Sequence, residues 1–316
     1  MATAPPRPAA VSAVPGPPPP PTATLAVPSA TPTRLPMPTT VPTATASRTA
    51  GVVPSPSPTP RPATPTALPA ATPAPTFPAS PAGPTGPPLV AIDPGHGGDE
   101  IGAVYTGGGL VLREKDVNLA IAQRLAALLK GVGYRVVLTR QGDSGVNLAG
   151  ADLSGDGQVD TLDDLQARID KANAAGAQLL FSIHNNGSAS SGESGSEVYY
   201  CPERPYAERN LALARLLEGA FVQRLAATGY RPRERGVKAD TAFRYYDGRP
   251  YCASLLGPVQ LPRRPRASQM PAALGESLFL SNPEGALLAR ADVQQAIAQA
   301  YFDAASGYFA LFPVGS

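Results

Sequence analysis

Proline divides this chain into two parts that cannot share one fold. Residues 1–88 contain 28 of the 39 prolines, and four arginines are the only charged residues there. Such a segment cannot bury enough apolar surface to offset its loss of chain entropy, so we expect a disordered, extended Pro/Thr-rich linker or stalk. Residues 89–316 have the composition of a globular domain, and roughly 230 residues can bury one sizeable core.

Charge and hydropathy exclude several classes of function. With the four early arginines set aside, residues 89–316 carry 22 basic and 24 acidic side chains, so charge does not indicate nucleic-acid binding. No apolar run is long enough to span a membrane, and the amino terminus lacks the pattern of a signal peptide. Because a Pro/Thr stalk suits the outside of a cell, we expect an extracytoplasmic protein, in the cell envelope or secreted. We expect its export signal upstream of Met1, and we expect the protein to be a monomer.

The chain has two cysteines, Cys201 and Cys252. They could form one disulfide in an oxidising compartment, or they could remain two buried thiols. The sequence leaves both alternatives open.

Apolar periodicity after residue 88 alternates between strand-like and helix-like segments. The predicted strands are Leu89–Asp93, Tyr134–Thr139, Gln178–Ile183, Glu197–Tyr200 and Ala272–Glu276. The predicted helices are Val117–Leu129, Leu162–Ala175, Tyr206–Thr228 and Ala289–Phe309. Continuous apolar strands alternating with helices favour an α/β fold with an open, mostly parallel sheet that helices cover on both faces.

The only two histidines each follow a strand-like apolar run. His96 comes after Leu89–Asp93, and His184 comes after Gln178–Ile183. Sites in open α/β sheets form beyond the carboxyl ends of the strands, where Glu276 also falls. Two histidines and a carboxylate are a common ligand set for a catalytic zinc ion. A single histidine is more often an ordinary core or loop residue, but two in equivalent places favour a metal site.

The chain resembles the zinc-dependent N-acetylmuramoyl-L-alanine amidases of bacterial cell walls. The resemblance rests on an ordered set of short motifs that spans nearly all of residues 89–309. These are Ile92–Gly98, Glu114–Leu119, Leu138–Arg140, Arg168 with Ala172-Asn173, Ser182–Asn186, Gly195–Tyr200, Arg235–Lys238, and Glu276–Asn282 with Pro283-Glu284. Each motif alone is weak, whereas their shared order is specific.

The resemblance implies a peptidoglycan hydrolase with zinc as its cofactor. His96, Glu114 and His184 match the family's zinc ligands, and Glu276 matches its catalytic glutamate. The family reaction cuts the amide between the lactyl group of N-acetylmuramic acid and L-alanine of the stem peptide, by zinc-activated water. From the sequence alone, Glu114 could instead be an acid favoured at a helix start, and Glu276 could be paired with an arginine.

Two further residues are candidate substrate contacts. Asn186 follows His184 by two positions, and Arg266 begins a segment that resembles the family sequence before the catalytic strand. Asp93 is a candidate for a supporting contact behind the site.

An insertion at about residues 150–164 departs from the family pattern. Its spacing of oxygen-bearing side chains, with Gly157 at the sixth position, matches a calcium loop of the EF-hand or dockerin kind. The predicted calcium ligands are Asp152, Ser154, Asp156, Gln158 through its backbone, Asp160 and Asp163. The alternative is a solvated acidic turn with a helix cap at Thr161. Dockerins, which bind cohesins, carry two loops of this kind. Only one is present in this sequence, so we expect no cohesin partner.

A second departure is the long segment Ala239–Arg264, which is rich in Tyr, Arg and Pro. It could line a groove for glycan and peptide, or it could simply cover a core. Ser277 also stands where the family usually has glycine after the catalytic glutamate.

Three functional interpretations follow from these patterns. The first is the amidase. The second is a zinc peptidase that cuts between amino acids of stem or other peptides, and the third is a non-catalytic wall-binding surface module.

Overall fold

The computed structural model describes residues 86–204, 206–240, 243–244, 250–251 and 266–314. Its strands are β1 Leu89–Pro94, β2 Val104–Gly107, β3 Leu110–Arg113, β4 Arg135–Leu138, β5 Leu179–Asn186, β6 Ser196–Tyr200, β7 Glu234–Ala239, β8 Phe243–Arg244, β9 Pro250–Tyr251 and β10 Ala272–Phe279. Its α-helices are α1 Glu114–Gly131, α2 Thr161–Ala174, α3 Ala207–Ala226 and α4 Ala291–Leu311, and a 3-10 helix spans Pro283–Ala289.

Six strands form the main sheet, in the order β4-β1-β5-β10-β6-β7. The pairs β1–β4, β1–β5, β5–β10 and β6–β7 are parallel, whereas β10 and β6 are antiparallel. The chain leaves β1 towards β4 and then crosses back to β5 on the other side of β1. That reversal creates a crevice at the carboxyl ends of β1 and β5, which is where open α/β sheets form their sites.

Both faces of the sheet are covered because its central strands are apolar on both sides. Val90 and Ile92 of β1 belong to the larger core cluster, which includes residues of α1, α3 and α4. Leu89 and Ala91 point into a second cluster that includes Ile169 and Ala172 of α2. The predicted α/β fold, with an open and mostly parallel sheet, is therefore confirmed, although three of these helices share one face and α2 covers the other.

The predicted elements are present, with shifts at their ends. Strand β5 continues past Ile183 to Asn186, and β10 continues past Glu276 to Phe279. Helix α1 begins at Glu114 rather than Val117, and its first turn is acidic, which suits the positive end of the helix dipole. The β2–β3 hairpin and β7 were not predicted from the sequence, because these strands are short and none of their residues is fully buried.

Residues 1–85 lie outside the described residues, so the predicted stalk remains a prediction. In the described ranges, no helix has both the length and the apolar character needed to cross a membrane.

Candidate metal centre

His96 lies just beyond β1, where the backbone makes an unusual turn. Its φ angle is 62°, a left-handed conformation that costs energy for a residue with a side chain. Arg168 of α2 holds this turn, because its guanidinium donates to the carbonyl of His96 at 2.8 Å and to the carbonyl of Pro94 at 2.9 Å. Arg168 also pairs with the buried carboxylate of Asp93 at 3.0 Å. Asp93 thus supports the turn from behind.

His184 lies on β5, and its ring packs against the backbone of the turn after β1. A Cβ atom at Gly95 would lie 2.1 Å from His184 Cε1, so only glycine fits there. The two imidazole rings lie edge to face, with their centroids 4.8 Å apart. The turn therefore brings the two histidines together although 88 positions separate them in the sequence.

Glu114, the first residue of α1, lies between the two rings. Its Oε2 atom is 3.0 Å from His96 Nε2, and its Oε1 atom is 2.9 Å from His184 Nδ1. Backbone amides hold the carboxylate in place: Ala103 donates to Oε2 at 2.9 Å and Asn185 donates to Oε1 at 3.1 Å. The structure thus gives Glu114 a position between the histidines, beyond the role of a helix-start acid.

A buried polar chain also supports the Glu114 carboxylate. The Asn118 amide donates to Glu114 Oε1 at 3.3 Å, and Asn185 donates to Asn118 at 2.8 Å. Ser277 completes the chain through a hydrogen bond from its hydroxyl to Asn185 Oδ1 at 2.5 Å. Ser277 therefore links the strand carrying Glu276 to the residues that hold Glu114.

The electrostatic environment favours positive charge at this centre. Burial lowers the pKa of His96, but hydrogen bonds with Glu100 and Glu114 outweigh it and raise the pKa to about 10. Burial would raise the pKa of Glu114, but hydrogen bonds with His184 and His96 hold it far below its usual value. Glu114 is thus ionised at neutral pH, and the carboxylates attract cations to the site.

Glu100 is a site residue that the sequence analysis missed. Its carboxylate contacts Nδ1 of His96, on the opposite edge of the ring from Glu114. A carboxylate at the second nitrogen of a histidine fixes the ring's tautomer and orientation, as partners of metal ligands commonly do. Its position four residues after His96, in a glycine-rich turn, was the only signal available in the sequence.

Glu276 lies on β10 directly beside His184 of β5 in the strand register. Its Oε2 atom is buried and has no hydrogen-bond partner within the described part of the chain. Burial, followed by repulsion from Glu114 and Glu197, raises the pKa of Glu276 well above its usual value. The arginine pairing considered as an alternative is absent from the described residues. Glu276 is therefore a carboxyl group suited to accepting a proton.

A cavity of about 980 Å³ joins these groups. It is lined by His96, Glu114, His184 and Glu276, and also by Asn186, a predicted substrate contact. The Asn186 amide donates to Glu197 at 2.8 Å. Arg266 is not among the lining residues and instead forms an ion pair with Asp170 of α2. The structure thus brings Asn186 to the site and places Arg266 elsewhere.

The predicted calcium loop is held by its own backbone amides. Asp152 accepts hydrogen bonds from the amides of Gly155 and Gly157, at 2.7 and 2.8 Å. Asp163 accepts from the amides of Ser154 and Asp160, and Asp160 caps α2. In the described ranges, the only group of three or more side chains suited to hold a metal ion is His96, Glu114 and His184. Calcium at this loop stays a prediction, and the acidic turn stays its alternative, with Asp160 rather than Thr161 as the helix cap.

Two further predictions fall largely outside the described residues. Cys201 is buried, but Cys252 lies outside them, so a disulfide stays a prediction. Of the segment Ala239–Arg264, the structure describes residues 239–240 and the short paired strands β8 and β9.

The donor set fits a catalytic zinc ion. The candidate ligand atoms of His96, Glu114 and His184 all lie within 4.8 Å of one another. Two imidazole nitrogens and one carboxylate oxygen form a three-ligand set that leaves a fourth position for water or substrate. All three residues line the cavity that Glu276 also lines.

Comparison with known proteins identifies the family. The model of the N-acetylmuramoyl-L-alanine amidase family matches residues 90–306. The N-acetylmuramoyl-L-alanine amidase LytC of Bacillus subtilis strain 168 is 34% identical over 221 residues, which are 70% of this chain and 35% of that relative. The chain thus spans about a third of the length of LytC. An uncharacterized protein of the same organism, YqiI, is 30% identical over 70% of this chain and 84% of its own length.

Solved structures agree with this assignment. The amidase AmiC2 of Nostoc punctiforme is similar with a TM-score of 0.51 and 29% identity, over 72% of this chain and 99% of that one. The catalytic domain of the amidase CwlV from Bacillus (Paenibacillus) polymyxa var. colistinus has a TM-score of 0.51 and 28% identity, over 71% and 98%. The family match, the similar sequences and the shared fold lead to one conclusion: this chain belongs to the N-acetylmuramoyl-L-alanine amidase family.

Proposed function

We propose that this chain is a zinc-dependent N-acetylmuramoyl-L-alanine amidase. It would hydrolyse the amide between the lactyl group of N-acetylmuramic acid and L-alanine of the stem peptide in peptidoglycan. The observation that carries the proposal is the placement of His96, Glu114 and His184 around one point at a cavity that Glu276 shares. The family assignment supports the choice of substrate.

His96, Glu114 and His184 would hold the zinc ion. When bound, zinc supplies Lewis acidity, which polarises a carbonyl group and lowers the pKa of water towards about 7. The chain's own groups prepare this site: the backbone amides of Ala103 and Asn185 fix the Glu114 carboxylate. Glu100 fixes the ring of His96 from its far edge.

Glu276 would move the proton. Its carboxylate accepts a proton from the attacking water, and the water oxygen then attacks the lactyl carbonyl carbon. The carboxyl group next donates that proton to the nitrogen of L-alanine as the C–N bond breaks. A raised pKa suits this role, because the buried carboxyl group retains the proton until the departing nitrogen takes it.

We extend the proposal to the location and organisation of the protein. Residues 89–316 would form the catalytic domain, and residues 1–88 would form the stalk that presents it to the cell wall. Since peptidoglycan lies outside the cytoplasm, the enzyme would act there, as a secreted or envelope protein.

The test is a digest of purified peptidoglycan by the full chain, analysed by mass spectrometry. We expect free stem peptides with L-alanine at their amino terminus, and we expect their loss when a chelator removes the metal or when Glu276 is replaced by Gln. Fragments cut between amino acids, with the lactyl amide intact, would instead establish the zinc peptidase. Binding to the wall without any product would favour the non-catalytic module.

A further inference from the structure

We propose that the insertion at residues 150–164 forms a wall of the catalytic cavity, and that Val159 on this wall contacts the stem peptide. Val159 would then be a specificity-determining residue for peptides of the cell wall. The inference rests on the proposed function and names the part of the substrate that this wall recognises.

The insertion shares the cavity with the metal centre. Val159, Asp160 and Thr161 line the same cavity as His184 and Glu276. Val159 is 57% exposed, so its aliphatic side chain is accessible from the cavity that it lines. An exposed aliphatic side chain that lines a cavity is available for a ligand to cover.

The aliphatic chemistry of the wall suits contact with a peptide. Val159 and the half-buried Leu165 of α2 supply aliphatic surface to the cavity. Methyl side chains such as those of alanine bury well against valine and leucine, since burial of apolar area is the driving force.

The wall is held in a fixed position relative to the metal centre. Asp164, at the end of the insertion, accepts hydrogen bonds from the Asn147 amide at 2.9 Å and from Arg168 Nε at 2.8 Å. Arg168 in turn donates to the carbonyl of His96 at 2.8 Å. One arginine therefore ties the wall to a metal ligand. A contact surface fixed before binding costs less entropy when the ligand is captured.

The test compares the full-length wild type with Val159→Asn and with a matched control, Leu148→Asn. Leu148 is 80% exposed, lies shortly before the insertion and is not among the cavity-lining residues. With soluble muropeptides that carry a complete stem, Val159→Asn should raise KM about five- to tenfold, because it removes apolar contact with the peptide. The control should keep the KM of the wild type.

Two competitive inhibitors identify the part of the substrate that is recognised. A free stem peptide should lose affinity for Val159→Asn by the same factor, whereas a peptide-free disaccharide should keep its inhibition constant. An unchanged KM, or a loss that appears with the disaccharide instead, would overturn the proposal. Absence of hydrolysis by the wild type would contradict the proposed function alone. The role of Val159 would then be tested by titrating the stem peptide onto zinc-loaded wild type and zinc-loaded Val159→Asn. Equal affinities of the two proteins would overturn that role.

Discussion

Glu197 and Glu276 lie directly opposite each other on the neighbouring strands β6 and β10, yet their surroundings differ completely. Glu197 forms ion pairs with Arg235 and Lys238. It also accepts hydrogen bonds from Asn186 and Tyr199. Glu276 has no ion pair in the described residues, and its Oε2 atom is buried without a partner. Burial opposes ionisation at both positions, but the cations lower the pKa of Glu197 whereas the pKa of Glu276 is raised.

We interpret the difference as one between a carboxylate that maintains the structure and a carboxyl group that would carry out the proposed proton transfer. An ionised carboxylate is stable in a protein interior when cations and donors surround it, and it then has little tendency to take up a proton. A buried carboxyl group without such partners destabilises the fold, and such groups are enriched at functional sites. The comparison can be tested by replacing Glu197 and Glu276 in turn.

The largest expected effect is the loss of activity in Glu276→Gln. Since general acid–base catalysis contributes about 10²- to 10⁴-fold, kcat should fall by that factor. The melting temperature should stay the same or rise, because an unpartnered buried carboxyl group is removed. Steady-state kinetics and thermal unfolding measure the two effects. A variant that keeps its activity would remove Glu276 from the reaction.

Glu197→Gln should show the opposite pattern. Arg235 and Lys238 would lose their shared partner, and since both are partly exposed to solvent, we expect a loss of about 1–3 kcal/mol in the free energy of unfolding. Zinc-loaded protein that remains folded should retain most of its kcat. Urea unfolding monitored beside the kinetics is the measurement. The comparison fails if Glu197→Gln loses activity as severely as Glu276→Gln while remaining fully stable.

The next effect concerns zinc affinity. Replacement of Glu100 by Gln should weaken zinc binding about tenfold or more, because the His96 ring loses the carboxylate at Nδ1. Competition with a chelator of known affinity measures the change without any need for turnover.

Asp99→Asn provides the matched control for Glu100→Gln. Asp99 is exposed, lines the same cavity and carries the same charge. Equal losses in the two variants would mean that general charge, and not the orientation of His96, determines the affinity.

Glu218 of α3 tests whether a missing partner alone marks a functional carboxyl group. It is buried away from the catalytic cavity, its Oε2 atom has no hydrogen-bond partner within the described ranges, and burial raises its pKa to about 7. Because the folded-state pKa exceeds the ordinary value of 4.5, its contribution to stability is fully present below about pH 4.5. That contribution is lost as the pH rises through about 7.

Glu218→Gln should therefore stabilise the protein by about 1–2 kcal/mol above pH 7, and the gain should vanish below about pH 4.5. Kinetic constants should not change. Unfolding curves recorded across this pH range give the result. A loss of activity in this variant would mean that Glu218, like Glu276, is a functional carboxyl group.

The smallest effect is expected at the insertion, whose carboxylates are satisfied by backbone amides. If the loop binds calcium as its spacing predicts, a millimolar concentration of Ca²⁺ should raise the melting temperature by a few degrees, since a ligand that binds only the folded state stabilises it. Asp156→Asn should abolish the shift, and Mg²⁺ should not replace Ca²⁺. No shift in the wild type would favour the acidic turn.

The sequence predicted the parts of the site that depend on local pattern. His96 and His184 follow apolar strands, and the parallel sheet brings the ends of such strands together. The resemblance to the family supplied Glu114 and Glu276. The roles of Glu197 and Arg266 were not predictable, because their partners Arg235 and Asp170 are brought near only by the fold. Arg266 had been expected at the substrate, and its ion pair with α2 carries no local signal.

The close approach at Gly95 has a consequence for the evolution of this enzyme. Every missense change of a glycine codon introduces a residue with a Cβ atom, and at Gly95 that atom would occupy the space of the His184 ring. Such a substitution would displace the ring of a candidate metal ligand directly. Selection at this codon would therefore act on metal binding and turnover.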